Sequence, residues 1–132
     1  MQTAHEKYVN HPLFKECIEI SCPQGWMRFL DEAVAEIERL NEDSTESKVG
    51  FGQVKVKFGM LTIYLDSYGS AEDSVGRRAY DVVSKICSEA ARYCQVCSKE
   101  KIEMVIETRV RKVCLDHLQY GQSAWIRRNG EI

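Results

Sequence analysis

Long apolar runs are missing from this chain of 132 residues. No stretch approaches the roughly 20 apolar residues that a membrane-spanning helix needs, and the first residues lack the apolar centre of a signal peptide. These absences predict a cytoplasmic protein. In a reducing compartment, the six cysteines are expected to be thiols or metal ligands and not a disulfide framework.

A strong excess of either charge is also missing, because the formal net charge is −2. Non-specific nucleic-acid binding needs a basic surface, so this balance argues against that function. The charges are nevertheless unevenly spread. Seven acids and one base lie between Asp31 and Glu46, whereas seven bases and five acids follow from Lys99 onward. The simplest interpretation is two solvated faces.

Recognisable catalytic patterns are absent from the sequence. A nucleophile needs a base within reach, and the chain has only three histidines. If His117 binds a metal, as argued below, only His5 and His11 remain. No HExxH motif, Ser-His-Asp arrangement or phosphate-binding glycine loop stands out. We therefore expect no enzymatic activity.

Hydrophobic periodicity predicts a helix followed by a β-hairpin. Apolar residues recur at the helical period from Trp26 to Leu40, which is typical of an amphipathic helix. The period then changes to two in Gln53–Phe58 and Leu61–Asp66, which predicts two half-buried strands joined around Gly59. The polar run between the helix and the first strand, residues 41–48, is expected to be a loop.

A second long helix is expected after the hairpin, with Ser70 as its N-cap and Asp73 at the capping-box position. Its apolar stripe runs to Tyr93. A short helix is also expected to begin at Pro12, and a third strand is expected within Met104–Val113.

These elements predict a single α+β domain over residues 1–132, with helices packed on one face of a small antiparallel sheet. The core is expected over about residues 10–93. A zinc-knuckle segment is expected over about residues 94–120.

Four residues in the C-terminal third have the spacing of a zinc site. Cys94 and Cys97 form a C-x2-C pair, sixteen residues follow, and Cys114 and His117 form a C-x2-H pair. Two such pairs supply the four ligands of a tetrahedral site, and thiolates with one imidazole favour Zn²⁺. Because the protein fills all four positions, the zinc is expected to be structural and not catalytic.

The two alternative uses of the cysteines are a redox pair and a second metal site. Redox C-x-x-C pairs lie at the N-terminus of a helix, where the helix dipole favours a thiolate. Cys94 and Cys97 instead follow the end of a predicted helix, which argues for a metal. A second metal site made of His11, Cys17 and Cys22 is the weaker alternative, since its spacing is loose and a fourth ligand is missing.

Two groups of cations offer an alternative function in nucleic-acid binding. One surrounds the zinc pattern: Arg109, Arg111, Lys112, Arg127 and Arg128. The other, Lys55 and Lys57 with Tyr64, is expected on the outer face of the hairpin, where such side chains contact phosphates and bases in some proteins. A solvated sheet face with cross-strand pairs is the commoner explanation of the second group.

The whole chain resembles a set of small proteins of bacteria, phages and other mobile elements that have no assigned activity. The resemblance rests on four segments in order: His11-Pro-Leu-Phe14; Cys22-Pro-Gln-Gly25-Trp26; Gln53-Val-Lys-Val-Lys-Phe-Gly59 with Leu61-Thr-Ile-Tyr64; and Cys94-x-x-Cys97 with Cys114-x-Asp116-His117. Members usually have glycine where this chain has Ser98. The resemblance implies the zinc and the order of elements, and it implies no catalytic residue.

The sequence therefore predicts a small cytoplasmic zinc-binding protein that acts as a non-catalytic protein-interaction module of a mobile element or phage-derived gene. Nucleic-acid binding and an enzyme of unrecognised type are the alternatives.

Overall fold

The computed structural model describes residues 2–44, 48–67, 74–100, 103–106, 110–113 and 126–127. Within these ranges lie helices α1 (Ala4–Tyr8), α2 (Met27–Glu42) and α3 (Ser74–Ala90), and strands β1 (Val49–Lys57), β2 (Met60–Ser67), β3 (Glu103–Ile106), β4 (Val110–Val113) and β5 (Ile126–Arg127). The predicted α+β class is confirmed. In the described part of the chain, no helix has the length and apolar character to cross a membrane.

The N-terminus differs from the prediction. Helix α1, which was not predicted, begins with a capping box: the Thr3 hydroxyl accepts from the Glu6 N–H, and the Thr3 N–H donates to the Glu6 carboxylate. The helix expected at Pro12 is a single 3-10 turn, Pro12–Phe14, and the His11 imidazole Nδ1 caps it by accepting from the Leu13 N–H. Proline therefore begins a helical turn as predicted, but that turn is not extended into an α-helix.

Helix α2 and the hairpin occur close to their predicted bounds. The prediction that the first strand ends at Phe58 is wrong, because β1 ends at Lys57 and Phe58 lies in the turn with its side chain exposed. Strands β1 and β2 are antiparallel, with Val54 opposite Ile63 and Lys55 opposite Thr62. Directly opposite residues share a face of the sheet, so the apolar and polar residues of the hairpin separate onto an inner and an outer face. A short segment around Ile20 runs parallel to β1 along its other edge.

The core forms where α2 and α3 pack against each other and α3 packs on β2. Both predicted apolar stripes are buried or partly buried there. A column of stacked rings fastens the N-terminus to the sheet: Tyr8 lies on Phe14, and Phe14 on Phe51, with ring centroids 4.9 and 4.6 Å apart. The predicted cap of α3 at Ser70 and Asp73 lies outside the described residues.

A buried amide joins the end of α2 to the start of β1. Asn41, which was expected in a loop, belongs to the last turn of α2. Its side-chain amide donates to the Val49 carbonyl at 2.9 Å and accepts from the Val49 N–H at 2.8 Å. The side chain therefore pairs with Val49 as a backbone strand would, and both polar groups of Val49 are satisfied in the interior.

Asn41→Ala should destabilise the protein by about 2–4 kcal/mol, because it leaves the two backbone groups of Val49 buried without their partner. Urea unfolding measures the change. Asn10→Ala, at an exposed position before the 3-10 turn, is the control and should cost less than about 0.5 kcal/mol. Equal stability of the two variants would contradict the role assigned to the amide.

The C-terminal strands correct one prediction. Met104–Val113 contains two strands, β3 and β4, instead of one. They pair with each other, and β5 pairs with the other edge of β3, so the order is β4-β3-β5. This is a separate sheet and does not extend the β1–β2 hairpin.

Candidate metal centre

The first cysteine pair lies in a tight loop, Tyr93–Glu100, which we call the knuckle loop. Helix α3 ends at Ala90, three residues before the predicted end at Tyr93, and Ala91 and Arg92 lead from it into the loop. The Cys94 N–H donates to the Lys99 carbonyl and the Ser98 N–H donates to the Cys94 carbonyl, each at 2.8 Å. An antiparallel bridge between Tyr93 and Glu100 closes the base of the loop. The backbone hydrogen bonds therefore form a closed turn that carries both cysteines.

The two sulfur atoms lie in different surroundings. Cys94 is fully buried and Cys97 is exposed. The Val96 N–H points at the Cys94 sulfur, with 3.4 Å between nitrogen and sulfur. A backbone N–H directed at sulfur stabilises a thiolate, the form that binds zinc. The Val96 N–H is thus directed at the buried sulfur of the pair.

Ser98 has a left-handed backbone, with φ of 68°. That conformation lets the chain turn back after Cys97, and it costs an L-residue roughly 1 kcal/mol relative to glycine. The serine has a compensating contact, because its hydroxyl accepts from the Arg28 Nε at 2.7 Å. Glycine is the expected residue at this position, and the structure gives the physical reason for that expectation.

Ser98→Gly and Ser98→Ala should separate the two effects at this position. Both remove the hydrogen bond to Arg28, but only glycine relieves the left-handed backbone. We expect the glycine variant to be more stable than the alanine variant by about 1 kcal/mol, measured by urea unfolding. Equal stabilities would mean that the backbone at Ser98 is not strained.

The entrance to α2 holds the knuckle loop in place. The Gly25 N–H donates to the Gln95 carbonyl at 2.8 Å, and the Trp26 indole N–H donates to the Tyr93 carbonyl at 2.9 Å. Trp26 is fully buried, as expected for a core residue. The loop is therefore supported both by the end of α3 and by the start of α2.

Close packing explains the glycine at position 25. A Cβ atom there would lie 2.3 Å from the Cys94 carbonyl oxygen and 2.5 Å from the Gln95 carbonyl carbon. Real atoms do not approach so closely, and both neighbours are backbone. In the sequence, Gly25 stands out only as part of the segment Cys22-Pro-Gln-Gly25-Trp26. The adjacent Gly25-Trp26 pair was the available signal, but it did not show which backbone the glycine would meet.

An arginine covers the same junction from outside. The Arg28 guanidinium lies over the rings of Phe29 and Tyr93, 4.2 and 4.5 Å from their centroids, while it holds the Ser98 hydroxyl. Such cation–π contacts contribute about 0.5–1 kcal/mol each at exposed sites. Arg28 thus connects α2 to both ends of the knuckle loop.

The second predicted pair, Cys114 and His117, lies outside the described residues. The chain that leads to it is described in part. Val113, the last residue of β4, is buried and lies opposite Glu103. Glu103 comes three residues after Glu100, which lies at the base of the knuckle loop. Three fully extended residues span at most about 11 Å, so Glu103 lies no farther than that from the base of the loop. The β3–β4 hairpin therefore returns the backbone toward the loop just before Cys114.

The alternative metal site, made of His11, Cys17 and Cys22, is not supported by the described side chains. No group of three or more histidine, cysteine, aspartate or glutamate residues in the described ranges could hold a metal. His11 caps the 3-10 turn, the Cys17 thiol donates to the Glu19 carbonyl, and the Cys22 thiol donates to the Pro23 carbonyl. The structure thus gives each of the three residues its own local contact.

The remaining cysteines of the core are packed thiols. Burial raises the pKa of Cys22 to about 12, with a smaller contribution from Asp31. Burial likewise raises the pKa of Cys87 to about 11. Both groups stay protonated at neutral pH, as is typical of small thiols packed against a core.

The cations predicted near the zinc pattern are only partly described. Lys112 of β4 and Arg127 of β5 are both register partners of Met104 in β3, and Arg111 is the partner of Val105. Arg109 and Arg128 lie outside the described residues. The backbone thus brings two of the five cations into one row across the C-terminal sheet.

An open, mostly apolar cavity of about 600 Å³ lies near the far end of α2, between the Pro12–Phe14 turn and Lys48. The described residues that line it include neither cysteine nor histidine, so it is distinct from the knuckle loop.

Comparisons with protein-family models, with curated proteins and with solved structures find no match to this chain.

Proposed function

We propose that this protein is a zinc-stabilised, non-catalytic interaction module whose metal ligands are Cys94, Cys97, Cys114 and His117. The observation that carries the proposal is the knuckle loop. Its backbone places one buried and one exposed cysteine on a single turn and directs an N–H at the buried sulfur. A loop of this kind is suited to a thiolate pair that shares a metal.

The β3–β4 hairpin supports the second half of the site. It leads the chain back toward the knuckle loop immediately before Cys114, so the two ligand pairs need no long connection to meet. Three thiolates and one imidazole form a closed tetrahedral set that favours Zn²⁺ over hard cations. With no open position for water, such an ion holds chain segments together and does not activate a nucleophile.

Metal analysis tests the zinc directly. The purified protein should contain one zinc per chain by elemental analysis, and substitution with Co²⁺ should give the absorption spectrum of a tetrahedral thiolate site. Cys97→Ser should lose that spectrum, whereas Cys87→Ser, which alters a packed thiol, should retain it. Metal-free protein that is fully folded, or equal spectra for both variants, would contradict the assignment.

A protein partner is the favoured role for such a module. A closed zinc site has no open position for catalysis, so it favours a role in binding. In addition, α2 presents exposed acids to solvent at Glu32, Glu38 and Glu42. An accessory protein of a mobile element that engages a host factor fits these features. Affinity purification from the native host with mass spectrometry tests this role. Repeated failure to enrich any protein would count against it.

A further inference from the structure

The tip of the β1–β2 hairpin carries an aromatic residue in an unfavourable backbone conformation. Phe58 and Gly59 form the two-residue turn, with φ of 53° and 73°. Such turns favour asparagine, aspartate or glycine at both positions, because a bulky L-residue resists positive φ. The Phe58 side chain is nevertheless 79% exposed, so core packing does not account for it.

The outer face of the hairpin continues this surface. Lys57 is opposite Met60, Lys55 is opposite Thr62, and Gln53 is opposite Tyr64. Tyr64 is 43% and Met60 is 37% exposed. The sequence from Gln53 to Tyr64 contains two lysines and no aspartate or glutamate. The Glu19 carboxylate lies beside Gln53 and accepts from its amide at 2.8 Å, so the cationic part of this face is the end near the turn, at Lys55 and Lys57.

One lysine lies between two aromatic rings on this face. The Lys57 ammonium is 5.7 Å from the centroid of the Phe58 ring and donates to the Tyr64 hydroxyl at 3.5 Å. A cation therefore lies beside two exposed rings at the end of the hairpin. We call this group, Lys55, Lys57, Phe58 and Tyr64, the hairpin platform.

We propose that the hairpin platform binds single-stranded nucleic acid, with bases stacked on Phe58 and Tyr64 and phosphates contacting Lys55 and Lys57. Aromatic rings bind bases of any sequence through their faces, and nearby cations follow the phosphate backbone. Single strands are favoured over a duplex because stacking on a side chain needs an unstacked base.

A nucleic-acid ligand fits this surface better than a protein does. Lysine is depleted at the centres of protein interfaces, whereas here it lies between the two rings. The platform is also separate from the knuckle loop, so this inference goes beyond the proposed zinc module and does not depend on it.

Fluorescence anisotropy of the zinc-loaded full chain with short labelled oligothymidylate and oligouridylate tests the proposal. Both single strands should bind at low salt, and a labelled duplex should bind at least about tenfold more weakly. With two lysines contacting phosphates, the logarithm of the binding constant should fall against the logarithm of salt concentration with a slope of about −1.4. Tighter binding of one strand would identify DNA or RNA as the preferred source of the ligand.

Phe58→Asn is the decisive variant, because it should improve the fold and weaken the binding. Asparagine suits the left-handed turn, so the thermal midpoint should rise by about 3 °C. Loss of the stacking ring should weaken binding by about fivefold or more. Replacing Lys55 and Lys57 by glutamine should remove most of the salt dependence.

Two variants on α3 provide matched controls. Tyr80→Ala removes an aromatic side chain that is 68% exposed, and Lys85→Gln removes an exposed cation. Neither should change the affinity. The proposal is overturned if single strands fail to bind at low salt, or if Phe58→Asn binds as well as the unmodified chain. It is also overturned if Phe58 proves to be needed only for a protein partner.

Discussion

Gly25→Ala is expected to displace the knuckle loop from the core. The added Cβ would lie 2.3 Å from the Cys94 carbonyl oxygen and 2.6 Å from the Gln95 carbonyl oxygen. Because these contacts are to backbone, no side chain can rotate away, and the loop itself has to move. We expect a loss of about 2–4 kcal/mol in unfolding free energy, together with weaker zinc binding, since the moved loop carries Cys94 and Cys97.

Gly52→Ala is the matched control for this prediction. The nearest atom to a Cβ at Gly52 is the Tyr64 carbonyl oxygen at 3.4 Å, which is an ordinary contact. This variant should differ from the unmodified chain by less than about 1 kcal/mol. Urea unfolding and competition with a zinc chelator measure the two effects. If both alanine variants behave alike, close approach is not the reason for glycine at position 25.

Cys114→Ser is expected to release the chain that follows α3. Structural zinc contributes roughly 10–16 kcal/mol of apparent binding free energy in small zinc-finger peptides, so losing one ligand should remove most of the metal. The buried cluster formed by α2, α3 and the hairpin does not include Cys94 or Cys97, two of the proposed ligands. We therefore expect hydrogen exchange to accelerate first in the segment after Arg92, while protection in the α2–hairpin–α3 core partly survives.

The comparison for this variant is Cys87→Ser. It alters a partly buried thiol of the core, and it should keep one zinc per chain and the protection after Arg92. Uniform loss of protection across the chain in Cys114→Ser would contradict the division between a zinc-held segment and a separately packed core. Retention of zinc by Cys114→Ser would contradict the ligand set itself.

Hydrophobic periodicity predicted the elements that are defined by the order of apolar and polar residues within one segment. The stripe of α2 from Trp26 to Leu40 and the alternation in the hairpin each reflect one element facing one core. The two strands in Met104–Val113 were harder to predict, because each has only four residues. So short an alternation does not show where the first strand ends and the second begins. The N-terminal capping box could have been predicted from the spacing of Thr3 and Glu6.

Contacts between distant parts of the chain could not be predicted in the same way. The spacing of Cys94 and Cys97 indicated a metal, yet nothing local showed that Gly25 lies against Gln95. The left-handed backbone of Ser98 is likewise a property of the folded loop. Nor does an exposed Phe58 follow from sequence alternation, which cannot distinguish a turn residue from the end of a strand.

The pairing of Asn41 with Val49 makes the chain between them a natural insertion point. Two hydrogen bonds and the buried surroundings of the amide set the distance between the end of α2 and the start of β1. Extra residues in the connection would have to close the same gap, and each doubling of loop length costs only about 0.6 kcal/mol. A fluorescent reporter or affinity tag placed after Ser44 should therefore leave the knuckle loop and the hairpin platform undisturbed.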